Sequence, residues 1–196
     1  PSISVGATEN LIIAATYAYG TTLIKNCACE PEIKDLINFL KKMGANIKWT
    51  GKREIEVIGT RNFNAVNYSV MFDRIEAGTF IIAGALVGKK IKITNIDTTI
   101  LKKELDILKK MGLKFKTQKN KIIIFYSKNI KPVSIKTEAY PGFPTDLQAQ
   151  IMVLMTKANG VSKIKENIFE NRFMHVPELN RMGAMITVSG NLSTIN

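Results

Sequence analysis

Apolar residues fall along this chain in two alternating patterns. Residues 10–19, 76–87 and 147–159 are apolar at nearly every helical position, which predicts helices buried on most sides. Elsewhere the apolar positions keep to one helical face. Ile33, Leu36, Ile37, Leu40 and Met43 line up at helical spacing while Lys34, Lys41 and Lys42 lie off that line, the pattern of an amphipathic helix. Short alternating runs make up the rest. Ile47 and Trp49, then Ile55 and Val57, read as two strands joined at Thr50-Gly51-Lys52. Similar turns fall at Gln118-Lys119-Asn120 and near Gly190-Asn191.

The two textures repeat. KKMGANIK (41–48) returns as KKMGLKFK (109–116) and more loosely as NRMGAMIT (180–187). Gly44, Gly112 and Gly183 stand 68 and 71 residues apart, and Gly20, Gly88 and Gly160 stand 68 and 72 apart. The distances Gly20–Met43, Gly88–Met111 and Gly160–Met182 are 23, 23 and 22 residues. Two markers holding register through three copies define a unit of roughly 70 residues. Each unit reads α-β-α-β-β: an all-apolar helix closed by glycine at C′, a strand (21–26, 89–95, 161–167), an amphipathic helix closed by the second glycine, and a strand pair. The third amphipathic helix contains Pro177, which predicts a kink or a late start. The fold class is α/β (α+β). If the all-apolar helices of successive units pack together, the sheets must lie outside them. The Asn-rich residues 60–70 form the expected hinge or domain join.

Composition narrows the function classes. The 196 residues are 45% hydrophobic and 22% charged, which excludes general disorder. The longest apolar run, 80–87, is far short of the ~20 residues a membrane span needs. No secretory signal pattern opens the chain and no initiator Met stands at its start; a fragment of a longer, cytoplasmic protein is expected. The net charge is +12, but only Arg53, Arg61, Arg74, Arg172 and Arg181 among 28 cations are arginine, and the lysines are scattered. That is the pattern of a solvated basic surface that attracts anionic substrates, not of a nucleic-acid reader. Cys27 and Cys29 stand one residue apart, where a disulfide would be strained, and no other ligand-type neighbours suggest zinc.

In a pseudo-symmetric array equivalent positions face alike, so the starts of the first helices should share a face. Counting back 14 residues from the marker glycines gives Gly6, Arg74 and Asp146. Ser4-Val5-Gly6-Ala7-Thr8 suits a phosphate, with Gly6 admitting close backbone approach to free helix N–H groups; it equally suits a Ser N-cap. Asp146 is a candidate general base toward a substrate hydroxyl; it also sits in a capping-box pattern, Thr145-x-x-Gln148. Asp73-x-x-Glu76 resembles the same box. In Phe169-Glu170-Asn171-Arg172-Phe173-Met174-His175, which opens the third amphipathic helix, Arg172 is a candidate clamp for phosphate or carboxylate and Phe169 a candidate ring platform; an ordinary helix start is the alternative. His175, the single histidine, reads as structural, and Glu30 and Glu32 around Pro31 as first-turn carboxylates.

The strings SVGATEN (4–10), EPEIKDLINFLKKMGA (30–45), DRIEAGTF (73–80), FPTDLQAQ (143–150) and FENRFMHVPELNRMGA (169–184) resemble those of the bacterial UDP-N-acetylglucosamine 1-carboxyvinyltransferases, the enolpyruvyl transferases of peptidoglycan synthesis. The resemblance runs from Ser4 to about Asn196. It implies an inside-out α/β barrel type of fold: two domains of three units each, helices inside and sheets outside, closing over the substrates. Residues 1–72 would be the last unit of the first domain and 73–196 the first two of the second, still incomplete. It implies that Asp146 is the base at the sugar hydroxyl, that Ile168 with Phe169 contacts the uridine nucleotide, and that Ser2, Ile3, Ser4 and Val5, with Gly6 beside them, contact nucleotide and diphosphate. Arg172 matches an arginine near the cleft. The family often has Lys where Ser2 stands, so that charge is missing here. The substrates implied are UDP-N-acetylglucosamine and phosphoenolpyruvate, with no metal or organic cofactor, no nucleic acid and no membrane. The family's proton-donor loop and several cleft arginines lie outside this segment, and neither Cys27 nor Cys29 matches that donor. A sister transferase acting on shikimate phosphate and a non-catalytic nucleotide-sugar-binding paralogue are the alternatives.

Overall fold

The computed structural model describes residues 2–196, which divide into two compact units, 2–71 and 72–196. The first unit runs α1 (Val5–Tyr17), β1 (Thr21–Lys25), α2 (Pro31–Met43), β2 (Asn46–Gly51) and β3 (Glu54–Ile58). The second begins with the same series: α3 (Arg74–Val87), β4 (Lys90–Thr94), α4 (Lys102–Lys110), β5 (Lys114–Gln118) and β6 (Lys121–Phe125). It continues with β7 (Ser134–Lys136), a 3-10 turn (Thr145–Leu147), α5 (Gln148–Met155), β8 (Ser162–Lys165), α6 (Val176–Arg181), β9 (Ile186–Ser189) and β10 (Leu192–Ile195). The α-β-α-β-β order thus recurs three times.

Sheet topology repeats with it. The three sheets are ordered β1-β3-β2, β4-β6-β5 and β7-β8-β10-β9. In each, the last strand of the repeat pairs antiparallel with both others, and β7 joins the third sheet parallel to β8. The architecture is mixed α/β, and among the described residues no sheet closes into a barrel. The second marker glycines do what the spacing predicts. Gly44, Gly112 and Gly183 follow their helices at φ +113°, +85° and +95°, where a side chain would be strained. The first set differs. Caps fall at Ala18 and Thr156, so Gly20 and Gly160 lie in the following turns, and Gly88 is itself a cap with extended backbone.

Each unit has its own core. Ile12, Ile33, Ile37, Ile47, Ile55 and Val57 fill the first; α3, α4, α5 and two sheets enclose the second. In the second unit α3 packs on α5, α3 lies against β4 and β6, and α5 lies against β8, so the apolar helices are sandwiched between sheets. Burial on most sides does not hold for α1. It buries Thr8, Ile12, Ala15 and Thr16 but leaves Leu11, Ile13 and Tyr17 about half exposed. Within its own unit only one face of α1 meets α2, β1 and β3. Residues 60–70 carry no helix or strand, yet their end is tied down: Tyr68 Oη donates to Asp35 Oδ1 at 2.8 Å, and Lys42 Nζ to Asn67 O at 2.7 Å.

Gly59 turns the chain out of β3 under the end of α1. Its N–H donates to Gly20 O at 3.0 Å, and a Cβ there would stand 1.6 Å from Ala18 O, a backbone atom that cannot step aside. Gly59→Ala is therefore expected to destabilise the first unit by about 2 kcal/mol. Gly6→Ala, where nothing lies within 4 Å of the added carbon, should be neutral or slightly stabilising. Denaturant unfolding of both variants checks this; equal midpoints would contradict the close approach.

Candidate active site

The sequence candidates fall into two groups, one in each unit. In the first, Ser4 is the N-cap of α1 and its Oγ accepts from Ala7 N at 3.2 Å. Ser2, Ser4, Val5 and Gly6 are exposed and Ile3 is half-buried. Gly6 sits inside the first turn of the helix with open space beside it. Thr8 is buried and fixes this corner, accepting from Ala28 N at 3.0 Å while its hydroxyl donates to Ser4 O at 2.7 Å.

The second group gathers at the front of α5. Asp146 lies on the 3-10 turn, and its Oδ1 accepts from Arg172 at 2.6 Å. Arg172 in turn lies over the Phe169 ring, 5.1 Å from its centroid. The structure thus brings Asp146, Phe169 and Arg172 together, with Ile168 beside Phe169. The ion pair is exposed, 58% for the Asp146 side chain and 37% for Arg172, so it adds at most about 1 kcal/mol to stability. Next to it opens a recess of about 580 Å³ lined by Asn167, Ile168, Phe169, Arg172 and Asn191. A cation and an aromatic face line this recess and the exposed acid is held by that cation; the three can receive an anion, a planar ring and a hydroxyl.

Three local expectations are corrected here. The Thr145-x-x-Gln148 capping box does not form: Thr145 Oγ1 donates instead to Glu166 Oε2 at 2.9 Å, and the buried Gln148 side chain has no partner. The chain enters α5 through a 3-10 turn, which aims Thr145 inward. Asp73, by contrast, caps α3 through Ile75 N at 2.7 Å and Glu76 N at 3.1 Å. The segment 169–175 is a run of turns, with Asn171 at φ +54°; α6 starts late, at Val176, because Pro177 cannot sit deeper in a helix. Arg74, the counterpart of Asp146 by spacing, is buried and pairs with Glu104 at 3.3 Å, so it offers no cation to a cleft.

No sequence motif singles out Glu166. This carboxylate is 2% exposed and accepts from Thr137 Oγ1, Thr145 Oγ1, Ile168 N and Phe169 N. The signal was the period of two along 162–166: Ser162 and Ile164 are buried, Lys163 and Lys165 exposed, and Glu166 falls on the inward phase. Cys27 is buried, its thiol donating to Ile24 O at 3.2 Å, and burial pushes its pKa up, away from a nucleophile or proton donor. Among the described residues no three His, Cys, Asp or Glu side chains converge as a metal site requires, and no helix is long and apolar enough to cross a membrane.

Three repeats of one α-β-α-β-β unit are the arrangement that a solved enolpyruvyl transferase shares, and comparison with known proteins places the chain in that class. The family model described as EPSP synthase (3-phosphoshikimate 1-carboxyvinyltransferase) matches residues 1–196, and the chain belongs to that family. It is 62% identical over 195 residues to the UDP-N-acetylglucosamine 1-carboxyvinyltransferase of Pelagibacter ubique (strain HTCC1062), covering 100% of this chain and 47% of that protein. It is 50% identical over 192 residues to UDP-N-acetylglucosamine 1-carboxyvinyltransferase 1 of Clostridium acetobutylicum, covering 98% and 46%. Among solved structures, the enolpyruvyl transferase NikO from Streptomyces tendae superposes with a TM-score of 0.91 at 26% identity, covering 97% of this chain and 46% of that one. The chain spans about half the length of the curated relatives it matches.

His175 sits behind the site, its Nε2 3.2 Å from Met152 Sδ. Burial first, and then the Arg172 charge, push its pKa below the ordinary histidine value. The unfolded chain therefore takes up the proton first, and stability should fall as the pH drops below about 6.5. Because the sequence holds one histidine, His175→Gln should remove that slope in denaturant titrations between pH 7 and 5. Parallel slopes in the two proteins would contradict the burial.

Proposed function

We propose that the protein carrying these residues transfers the enolpyruvyl group of phosphoenolpyruvate to the 3′-hydroxyl of UDP-N-acetylglucosamine, releasing phosphate, a step of peptidoglycan synthesis in the cytoplasm. The names of the relatives support the acceptor and the transfer of a carboxyvinyl group. The single observation that carries the chemistry is Asp146, whose exposed carboxylate stands at a helix tip beside the Ile168–Phe169 loop and Arg172. In this reading Asp146 takes the hydroxyl proton as the sugar oxygen adds to C2 of the enolpyruvyl group. C3 gains a proton to give a tetrahedral adduct, and loss of phosphate with a C3 proton restores the double bond. Arg172 holds one carboxylate oxygen and leaves the other for the hydroxyl. Ile168 and Phe169 contact the uridine nucleotide, and Ser2, Ile3, Ser4, Val5 and Gly6 contact nucleotide and diphosphate through backbone and small side chains. The α1 N-cap geometry, with its exposed first turn, supports the anion role.

The same reading makes residues 1–72 the last repeat of one domain and 73–196 the first two repeats of the next, each domain being of the inside-out barrel type. The 196 residues alone are then inactive, since the other cleft groups lie elsewhere. No metal or organic cofactor takes part.

Asp146→Asn in the full-length protein should lower phosphate release by about 10²–10⁴-fold while costing no more than the ~1 kcal/mol of the exposed ion pair in unfolding. Wild-type turnover would leave Asp146 only as the partner of Arg172. Calorimetric titration should show binding of UDP-N-acetylglucosamine and none of shikimate phosphate; the reverse pattern would assign the sister reaction.

A further inference from the structure

We infer that Glu166 is a positioning residue that locks the base and the nucleotide-contacting loop into one frame. Its Oε1 accepts from Thr137 Oγ1 at 2.7 Å, Ile168 N at 2.9 Å and Phe169 N at 3.2 Å, and its Oε2 accepts from Thr145 Oγ1 at 2.9 Å. Thr137 Oγ1 also accepts from Asn167 N at 2.9 Å. Glu166 N donates to Asn191 O at 2.8 Å, which fixes its own backbone against the turn before β10. One buried carboxylate therefore gathers the residue before Asp146, the backbone of the loop that presents Ile168 and Phe169, and the end of β7.

Asp146 and Arg172 close the circuit from outside. From Glu166 the connection runs through Thr145 to Asp146, across 2.6 Å to Arg172, over the Phe169 ring, and back through Phe169 N to Glu166. An exposed ion pair does not hold its own geometry against water. The buried carboxylate supplies what the pair lacks, because a group that gathers four donors in a dry site fixes all of them at once. The donors belong to the two segments that carry Asp146 and the Ile168–Phe169 loop, joined by Thr137 as a common post. Glu166 touches no substrate in this scheme. It acts through Thr145 on the base and through two backbone amides on the nucleotide loop.

The inference rests on the transfer reading, and its test separates the two. In the full-length protein, Glu166→Gln should lower kcat at least tenfold and raise the KM for UDP-N-acetylglucosamine at least fivefold, with the KM for phosphoenolpyruvate within twofold. Thr145→Val cuts only the arm to the base. It should lower kcat at least tenfold with both KM values within twofold, and it serves as the deciding variant if Glu166→Gln fails to fold. Amide exchange at 145–147 and 167–172 should rise at least tenfold in Glu166→Gln and, at 145–147 alone, in Thr145→Val. Wild-type kcat in these variants, or KM values for both substrates rising together, would overturn the inference. Unchanged amide exchange would overturn it whether or not the protein turns over. An unmodified protein that releases no phosphate from the substrate pair would instead sink the transfer reading, while the exchange measurement still decides the role of Glu166.

Discussion

The approach of α3 to the start of α5 at Gly78 sets the rest of the second unit. A Cβ on Gly78 would stand 2.6 Å from Leu147 Cδ1, so any side chain there would have to push the buried Leu147 aside. Leu147 is buried in that contact, and Gln150 Nε2 donates across it to Thr79 Oγ1 at 3.0 Å. With Leu147 turned into the core and Thr145 turned to Glu166, the residue between them has nowhere to go but outward. Asp146 is exposed because both of its neighbours are held. A site acid on a short turn between two anchored residues is far better placed than one on a free loop.

That arrangement explains how a weak surface pair acquires a fixed geometry. Asp146 and Arg172 come from segments 26 residues apart. They meet because the strand leading to the loop, β8, ends just before Glu166, whose carboxylate also receives Thr145. The aromatic face of Phe169 then limits where the guanidinium can lie. Burial, a hydrogen-bond hub and one cation–π contact together do what the ion pair alone does not.

Much of this was legible in the sequence, and the exceptions have physical causes. The repeat and its α-β-α-β-β order could be read because glycines with positive φ recur where amphipathic helices end, and Gly44, Gly112 and Gly183 take that conformation. The late start of the third amphipathic helix could be read from Pro177, and α6 begins at Val176; that 169–175 are turns could not, because their composition suits a helix and the left-handed Asn171 leaves no mark in the spacing. The capping box was misjudged because spacing is blind to a distant acceptor: Thr145 prefers Glu166, 21 residues on, to the helix N–H groups. Arg74 shares the register of Asp146 but meets Glu104 on α4, so equivalent positions in a repeat need not keep equivalent exposure. Glu166 follows exposed Lys163 and Lys165 and belongs to no motif, although its inward phase just past β8 marks it as buried.

The most direct test of the central claim is a crystal structure of the full-length protein with UDP-N-acetylglucosamine bound. An Asp146 carboxylate oxygen should lie within about 3 Å of the sugar 3′-oxygen, with Arg172 still on the other oxygen. A sugar seated against a different wall, with its 3′-hydroxyl beyond the reach of Asp146 even through one water, would contradict the account.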